Sequence, residues 1–181
     1  MSARKILGVD PALGRTGWAL LSISQNSSFA IVAWGSIAPK RANRPEKLWQ
    51  IVCEFRGILA EWKPDEAHFE LPGKWMHRYL SRSAVEAMAM ARGAMLMACA
   101  EARVPTFEAD FHTVRRDMLG GWKAGKSATA RYLATLGVSL PKRPRGNVDS
   151  DIADAILVAL HAAKLTSGPG RSRRQPASMN P

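Results

Sequence analysis

Hydrophobic positions along the chain fall into short blocks, and the spacing within each block changes from element to element. Three extended runs come first, at about 4–10, 15–24 and 28–37, the first being Ile6-Leu7-Gly8-Val9 closed by Asp10. Gly14-Arg15-Thr16-Gly17 reads as a turn into the second run, and together the three predict an antiparallel meander. From about 46 to 62 the period switches: Leu48, Ile51, Val52, Phe55, Ile58, Leu59 and Trp62 stand at 3, 4, 7, 10, 11 and 14 from the first, the buried stripe of a helix packed on the sheet. A fourth strand, 65–70, carries Glu66-Ala67-His68-Phe69-Glu70 and is stopped by Pro72-Gly73. The helix expected at about 83–102 holds Met88, Met90, Met95 and Met97 with Ala91, Gly93 and Ala94, and is apolar nearly all round. One of its faces must therefore meet something besides its own sheet, either as a buried central helix or as a dimer interface. A strand at 104–109, a short helix near 127–136 and a helix from about 150 to 164 follow. Residues 167–181, rich in Ser, Gly, Pro and Arg, read as a disordered tail, leaving one domain over 1–166.

Four acids stand where these elements begin or end: Asp10, Glu70, and Asp151 with Asp154. Taken singly each has an ordinary reading, since Asp-Pro is often a turn and an Asp at a helix start is often a cap. The joint pattern is more specific. Glu70 breaks an otherwise apolar strand, Asp154 lies a full turn into its helix where no cap is needed, and the i, i+3 spacing puts Asp151 and Asp154 on one face. Gathered carboxylates repel unless a cation lies between them, and hard oxygen ligands select Mg²⁺, with Mn²⁺ able to substitute, over Zn²⁺. Asp149 is an alternative to Asp151, as ligand or as cap.

Charge points to a phosphate-rich partner. Lys plus Arg number 26 against 15 acids, net +11 in 181 residues. Residues 111–147 hold eight bases (Arg115, Arg116, Lys123, Lys126, Arg131, Lys142, Arg143, Arg145) against Asp117 alone, and Lys164, Arg171, Arg173 and Arg174 supply the rest of the excess. Such clustering beside the acids suggests contacts to a nucleic-acid backbone. The loop Pro72–Tyr79 interleaves Lys74, Trp75, His77, Arg78 and Tyr79 as stacking platforms do, although a tryptophan folded onto its own domain is an equal reading. Cys53 and Cys99 have no disulfide or metal spacing, and His68, His77, His112 and His161 form no ligand pair, so a reducing compartment without zinc is expected. No signal peptide and no apolar run of spanning length occur, which suggests the cytoplasm of a bacterial or phage-infected cell and no membrane partner.

The order β-β-β-α-β-α-β-α-α, with acids ending the first and fourth strands and opening the last helix, describes an α/β ribonuclease-H-like fold with a mixed five-stranded sheet flanked by helices. Over about residues 4–164 the chain resembles the RuvC Holliday-junction resolvases. The matching pieces are Ile6-Leu7-Gly8-Val9-Asp10-Pro11 with Thr16-Gly17, Phe69-Glu70, Ala91-Arg92-Gly93, Val114-Arg115-Arg116 with Gly120 and Lys126, and Asp151-Ile152-Ala153-Asp154-Ala155 with Ala159-Leu160. The resemblance implies a homodimer that nicks two strands of a four-way DNA junction symmetrically, with two metal ions per site held by Asp10, Glu70, Asp151 and Asp154. It implies DNA contacts near the scissile phosphate for Arg115 and Lys126, and a helicase partner is left open. The family's junction-wedging aromatic is missing, because Gly73 stands at its position; Trp75 is the candidate substitute, and a diverged or phage-borne member fits these departures.

Two rival readings have their own signals. Gly120-Gly121-Trp122-Lys123-Ala124-Gly125-Lys126-Ser127 satisfies GxxxxGK[ST], the expression of a nucleotide-phosphate loop. A charged, helix-like Thr113–Leu119 precedes it instead of an apolar strand, so a flexible basic loop near DNA accounts for the same residues. Within the fold class, a nuclease acting on RNA:DNA hybrids, flaps or branches and a junction-binding module without catalysis are the alternatives.

Overall fold

Alternation along β1 (Arg4–Asp10) sends Leu7 and Val9 to one side of a sheet and Ile6, Gly8 and Asp10 to the other, and the rest of the fold is arranged around that division. The computed structural model describes residues 3–26, 28–41, 43–72, 80–121, 126–142 and 149–167, without the side chains of Lys126 and 165–167. β1 pairs antiparallel with β2 (Thr16–Ile23), which pairs antiparallel with β3 (Phe29–Ile37). On its other side β1 runs parallel to β4 (Glu66–Leu71), and β4 parallel to β5 (Thr106–Asp110). The order β3-β2-β1-β4-β5 makes the mixed five-stranded sheet expected of a ribonuclease-H-like fold.

Leu7, Val9, Leu20, Ala67 and Phe69 form one face, covered by α1 (Arg44–Trp62) and α2 (Arg82–Glu101). α1 begins two residues before the periodicity suggested, because Asn43 accepts from the Glu46 amide as a cap and Pro45 fits the first turn. Ile51, Phe55, Ile58 and Leu59 from its stripe reach the core. α2 buries Ala91, Met95, Ala98 and Cys99. Met90 and Met97 are 43% and 67% exposed, so within a single chain α2 is half-covered and is not a buried central helix. Cys53 is exposed and Cys99 buried, both free, with burial pushing the Cys99 thiol up to about 12.

The opposite face packs against α5 (Ser150–Ser167), with Ile6, Ala19 and Leu21 meeting Ile152, Ala155, Ile156 and Ala159. Two glycines allow the contact: a Cβ on Gly8 would lie 2.2 Å from the Ala155 carbonyl oxygen, and one on Gly17 2.0 Å from that of Asp151. α4 (Lys126–Thr135) adds Leu133 to this side.

The helix-like stretch before Gly120, which the expected order of elements does not include, forms a helix of its own, α3 (Phe111–Leu119), between β5 and α4, so among the described residues three helices, not two, follow the last strand. Asp110, closing β5, caps it by accepting from the His112 and Thr113 amides at 2.9 and 3.2 Å. Gly120 ends it with φ 74°, so the glycine that opens the apparent phosphate loop is a helix cap, and what precedes it is helix rather than strand. Residues 73–79, 122–125, 143–148 and 168–181 lie outside the described residues, and with them Gly73, Lys74, Trp75, Arg78, Lys123 and the expected tail beyond Ser167. No helix among the described residues is long and apolar enough to cross a membrane.

Candidate active site

Three elements converge at one end of the α5 face. Asp10 is the last residue of β1 and points to that side by alternation from Gly8. On β4, Ala67 and Phe69 fill the other core, so Glu66, His68 and Glu70 share the side of Asp10. The apolar break at Glu70 is thus a polar position aimed at α5, and Asp154, in the second turn of α5, meets it. Asp10, Glu70 and Asp154 each offer an oxygen, and the three lie within 4.8 Å of one another. Around a small hard cation ligated at about 2.1 Å, opposite ligand oxygens stand about 4.2 Å apart, so the trio fits such an ion after contracting by a fraction of an ångström.

The electrostatics of Glu70 point the same way. Burial first, then the negative charges of Asp10 and Asp154, push its carboxyl well above the usual carboxylate range, and the Arg115 guanidinium only partly opposes them. Without a cation the cluster is a strained concentration of charge; a divalent ion between the oxygens reverses the sign of the interaction.

Arg115 stands behind the cluster. Its side chain is 4% exposed, with Nη2 donating to Asp154 Oδ1 at 2.8 Å and the guanidinium 4.3 Å above the Phe111 ring. The Thr129 hydroxyl is 3.5 Å from the same oxygen. Arg116, next in α3, is exposed and paired with Asp117 at 3.1 Å. Lys126 opens α4, its side chain outside the described residues.

Asp151 is not one of the clustered trio. Its Oδ2 lies 3.6 Å from Arg15 Nε, and its Oδ1 accepts from the Ser150 hydroxyl at 3.1 Å. Asp149 takes the cap: its carbonyl accepts from the Ala153 amide, its Oδ1 from the Asp151 amide at 3.3 Å, and its other oxygen pairs with Arg15. Arg15 and Thr129 were not singled out from sequence. Arg15 showed only as a cation in a turn, and Thr129 as an ordinary helix residue; each gains a role from a partner more than 20 residues away, which no local pattern reveals.

The comparisons agree with this geometry. A family model described as crossover junction endodeoxyribonuclease RuvC matches residues 6–162. The chain is 31% identical over 174 residues to a crossover junction endodeoxyribonuclease RuvC of Xanthobacter autotrophicus, covering 96% of this chain and 97% of that one. It is 33% identical over 166 residues to one from a Caulobacter species, covering 89% and 90%. Among solved structures, Thermus thermophilus RuvC in complex with a Holliday junction substrate superposes with a TM-score of 0.72 at 21% identity, over 88% of this chain and 93% of that one, a likeness of fold. With the family model spanning nearly the whole folded region, the chain belongs to the RuvC family of crossover junction endodeoxyribonucleases.

Proposed function

We propose that the protein resolves four-way DNA junctions by paired symmetric nicks, with Mg²⁺ as its working ion and two ions per site. The observation that carries this reading is the trio Asp10, Glu70 and Asp154 within 4.8 Å, contributed by β1, β4 and α5 of a RuvC-family chain. The RuvC family is metal-dependent, and the acidic cluster suits a hard divalent cation. The trio holds the ions, and Asp151, one turn before Asp154, joins it by turning from Arg15. When bound there, such ions would make a water more acidic for in-line attack on phosphorus and would offset charge on the leaving 3′ oxygen.

The remaining work falls to the chain itself. Arg115, buried against Asp154, fixes the rotamer of that carboxylate rather than reaching out to DNA. Lys126, at the start of α4, offsets charge developing on the phosphate. Arg116, Lys123, Lys74 and Arg78 contact the DNA backbone, and Trp75 stacks on a base at the branch. Residues 1–166 form the nuclease unit, with 167–181 a basic appendage. The outer face of α2, from Met88 to Met97, pairs with a second copy to set two sites on one junction.

The test is cleavage of a synthetic four-way junction beside linear duplex, a flap and an RNA:DNA hybrid, with Mg²⁺ and with EDTA. Symmetric nicks in the junction alone, lost in EDTA, are expected. Cutting of the hybrid or flap instead would move the activity to another substrate, and tight junction binding without cutting would make the protein a binding module.

A further inference from the structure

A second concavity lies on the same face of the sheet, on the far side of the first turn of α5. Trp34 pairs across with Ala19, which packs under α5, so its indole points to that side. Ser36 belongs to the cross-strand row Ser36, Gly17, Asp10. Strands are about 4.8 Å apart, which places Ser36 about 10 Å from the catalytic rim along that row. Trp34 and Ser36 line an open cleft of about 350 Å³ together with Arg15, Pro141, Lys142 and Asp149. That volume is at the lower end of the range of small-ligand sites, about 300–1,000 Å³.

The walls select the class of ligand. Among the described residues, Arg15 is matched by Asp149 and Asp151, so with Lys142 they hold two cations against two acids. A compact anion such as free phosphate therefore finds no net attraction in the described lining. A flat neutral ring gains from Trp34, which is 40% exposed and presents an aromatic surface to the opening. Lys142, exposed at the mouth, suits the phosphate attached to such a ring.

We propose that this cleft takes one unpaired nucleobase of the DNA strand leaving the carboxylate cluster, stacked on Trp34, with Lys142 against its phosphate. The inference rests on the nuclease reading above and extends it: the base beside the cut is read by stacking, which favours bases with strong stacking and carries no hydrogen-bond code. Stacking on an aromatic residue is worth about tenfold or more in affinity per base.

The experiment uses the full chain and four-way junctions, in EDTA, with 5-bromodeoxyuridine placed singly at each position around the branch. Ultraviolet light is expected to cross-link one of these positions to Trp34. Trp34→Ala should weaken junction binding about tenfold and, with Mg²⁺, flatten the preference among cutting positions, whereas Trp34→Phe keeps both within about threefold. Cross-links confined to other residues overturn the proposal, as does a folded Trp34→Ala protein whose affinity and cutting pattern are unchanged. Should Trp34→Ala fail to fold, the cross-link on the unsubstituted chain decides. The same probe in a single-stranded oligonucleotide separates the two readings. Cross-linking there without junction cleavage fails the resolvase reading and supports the cleft, while junction cleavage without any Trp34 adduct does the reverse.

Discussion

Glu70 is a carboxyl group held where its ionisation is disfavoured, and this has a measurable sign. Burial and the neighbouring Asp10 and Asp154 raise its affinity for a proton in the folded state above that of an unfolded glutamate. Between the ordinary value near 4.5 and the raised one, the folded protein binds more protons than the unfolded chain. Its favourable contribution is therefore present below that ordinary value and is lost as pH rises through the raised one. In EDTA at neutral pH, Glu70→Gln should accordingly be more stable than the parent by about 0.5–2 kcal/mol, with the gap closing as pH is lowered toward the ordinary carboxylate value. Thermal denaturation across that pH range measures it; a parent protein at least as stable as the variant at neutral pH in EDTA would contradict the electrostatic account of the cluster. Mg²⁺ should shrink or reverse the gap, because only the parent offers the full set of oxygens. The same substitution and Asp10→Asn should leave junction binding while lowering cleavage by at least about a thousandfold, read under single-turnover conditions. Cleavage by either variant at the parental rate would remove that residue from the site.

At the scale of elements, the geometry of the carboxylate cluster depends on how closely α5 lies on β1 and β2. The two glycines at the contact let the helix backbone approach, and Asp154 reaches Asp10 and Glu70 only from that depth. Gly8→Ala places a methyl within 2.2 Å of a backbone carbonyl and 2.8 Å of Ala159 Cβ, neither of which can swing aside. The helix must lift, so a loss of about 3 kcal/mol is expected, together with weaker binding of Mn²⁺. Gly57→Ala is the control: it lies inside α1 with nothing within 4 Å of the added methyl, and should instead stabilise by about 0.5–1 kcal/mol. Urea titration of both variants checks the pair, and equal effects would show that the approach of α5 is not what Gly8 secures. The helices and strands were legible in the sequence because each rests on its own periodicity, as with the stripe Ile51, Phe55, Ile58 in α1. α3 was legible only as a helix-like stretch from Thr113 to Leu119 with no place in the order of elements, since its nine residues mix Val114 and Met118 with Arg115, Arg116 and Asp117, and its cap Asp110 reads equally well as the end of β5. The acids of the site were legible as breaks in apolar patterns. Their arrangement was not: the engagement of Asp151 by Arg15 and of Asp154 by Arg115 joins residues 136 and 39 positions apart, a distance over which sequence carries charge but no geometry.

For the molecule as a whole, the open question is what covers α2. Ala91, Met95, Ala98 and Cys99 are spent on the core, yet Met90 and Met97 remain exposed seven residues apart, two turns along one side of the helix. Gly93 lies between them, and a Cβ added there would meet nothing within 4 Å in the single chain, leaving a shallow surface that a second helix can approach. With Met90 and Met97 43% and 67% exposed, burying what remains of both returns about 1.5–3 kcal/mol per subunit before the entropy of association is subtracted, so a stable dimer needs further contacts along the same side. Met97→Glu puts a charge at the more exposed of the two methionines, 67% exposed and not one of the buried core residues. Sedimentation should show the parent as a dimer and the variant as a monomer, with unfolding free energy at equal subunit concentration lowered only by the loss of association. Because each subunit carries its own carboxylate trio, the monomer should keep its affinity for Mn²⁺ while losing the pairing of the two nicks in a junction. If the variant remains a dimer and still cuts both strands together, the subunits meet on another surface and the exposed side of α2 serves some other contact.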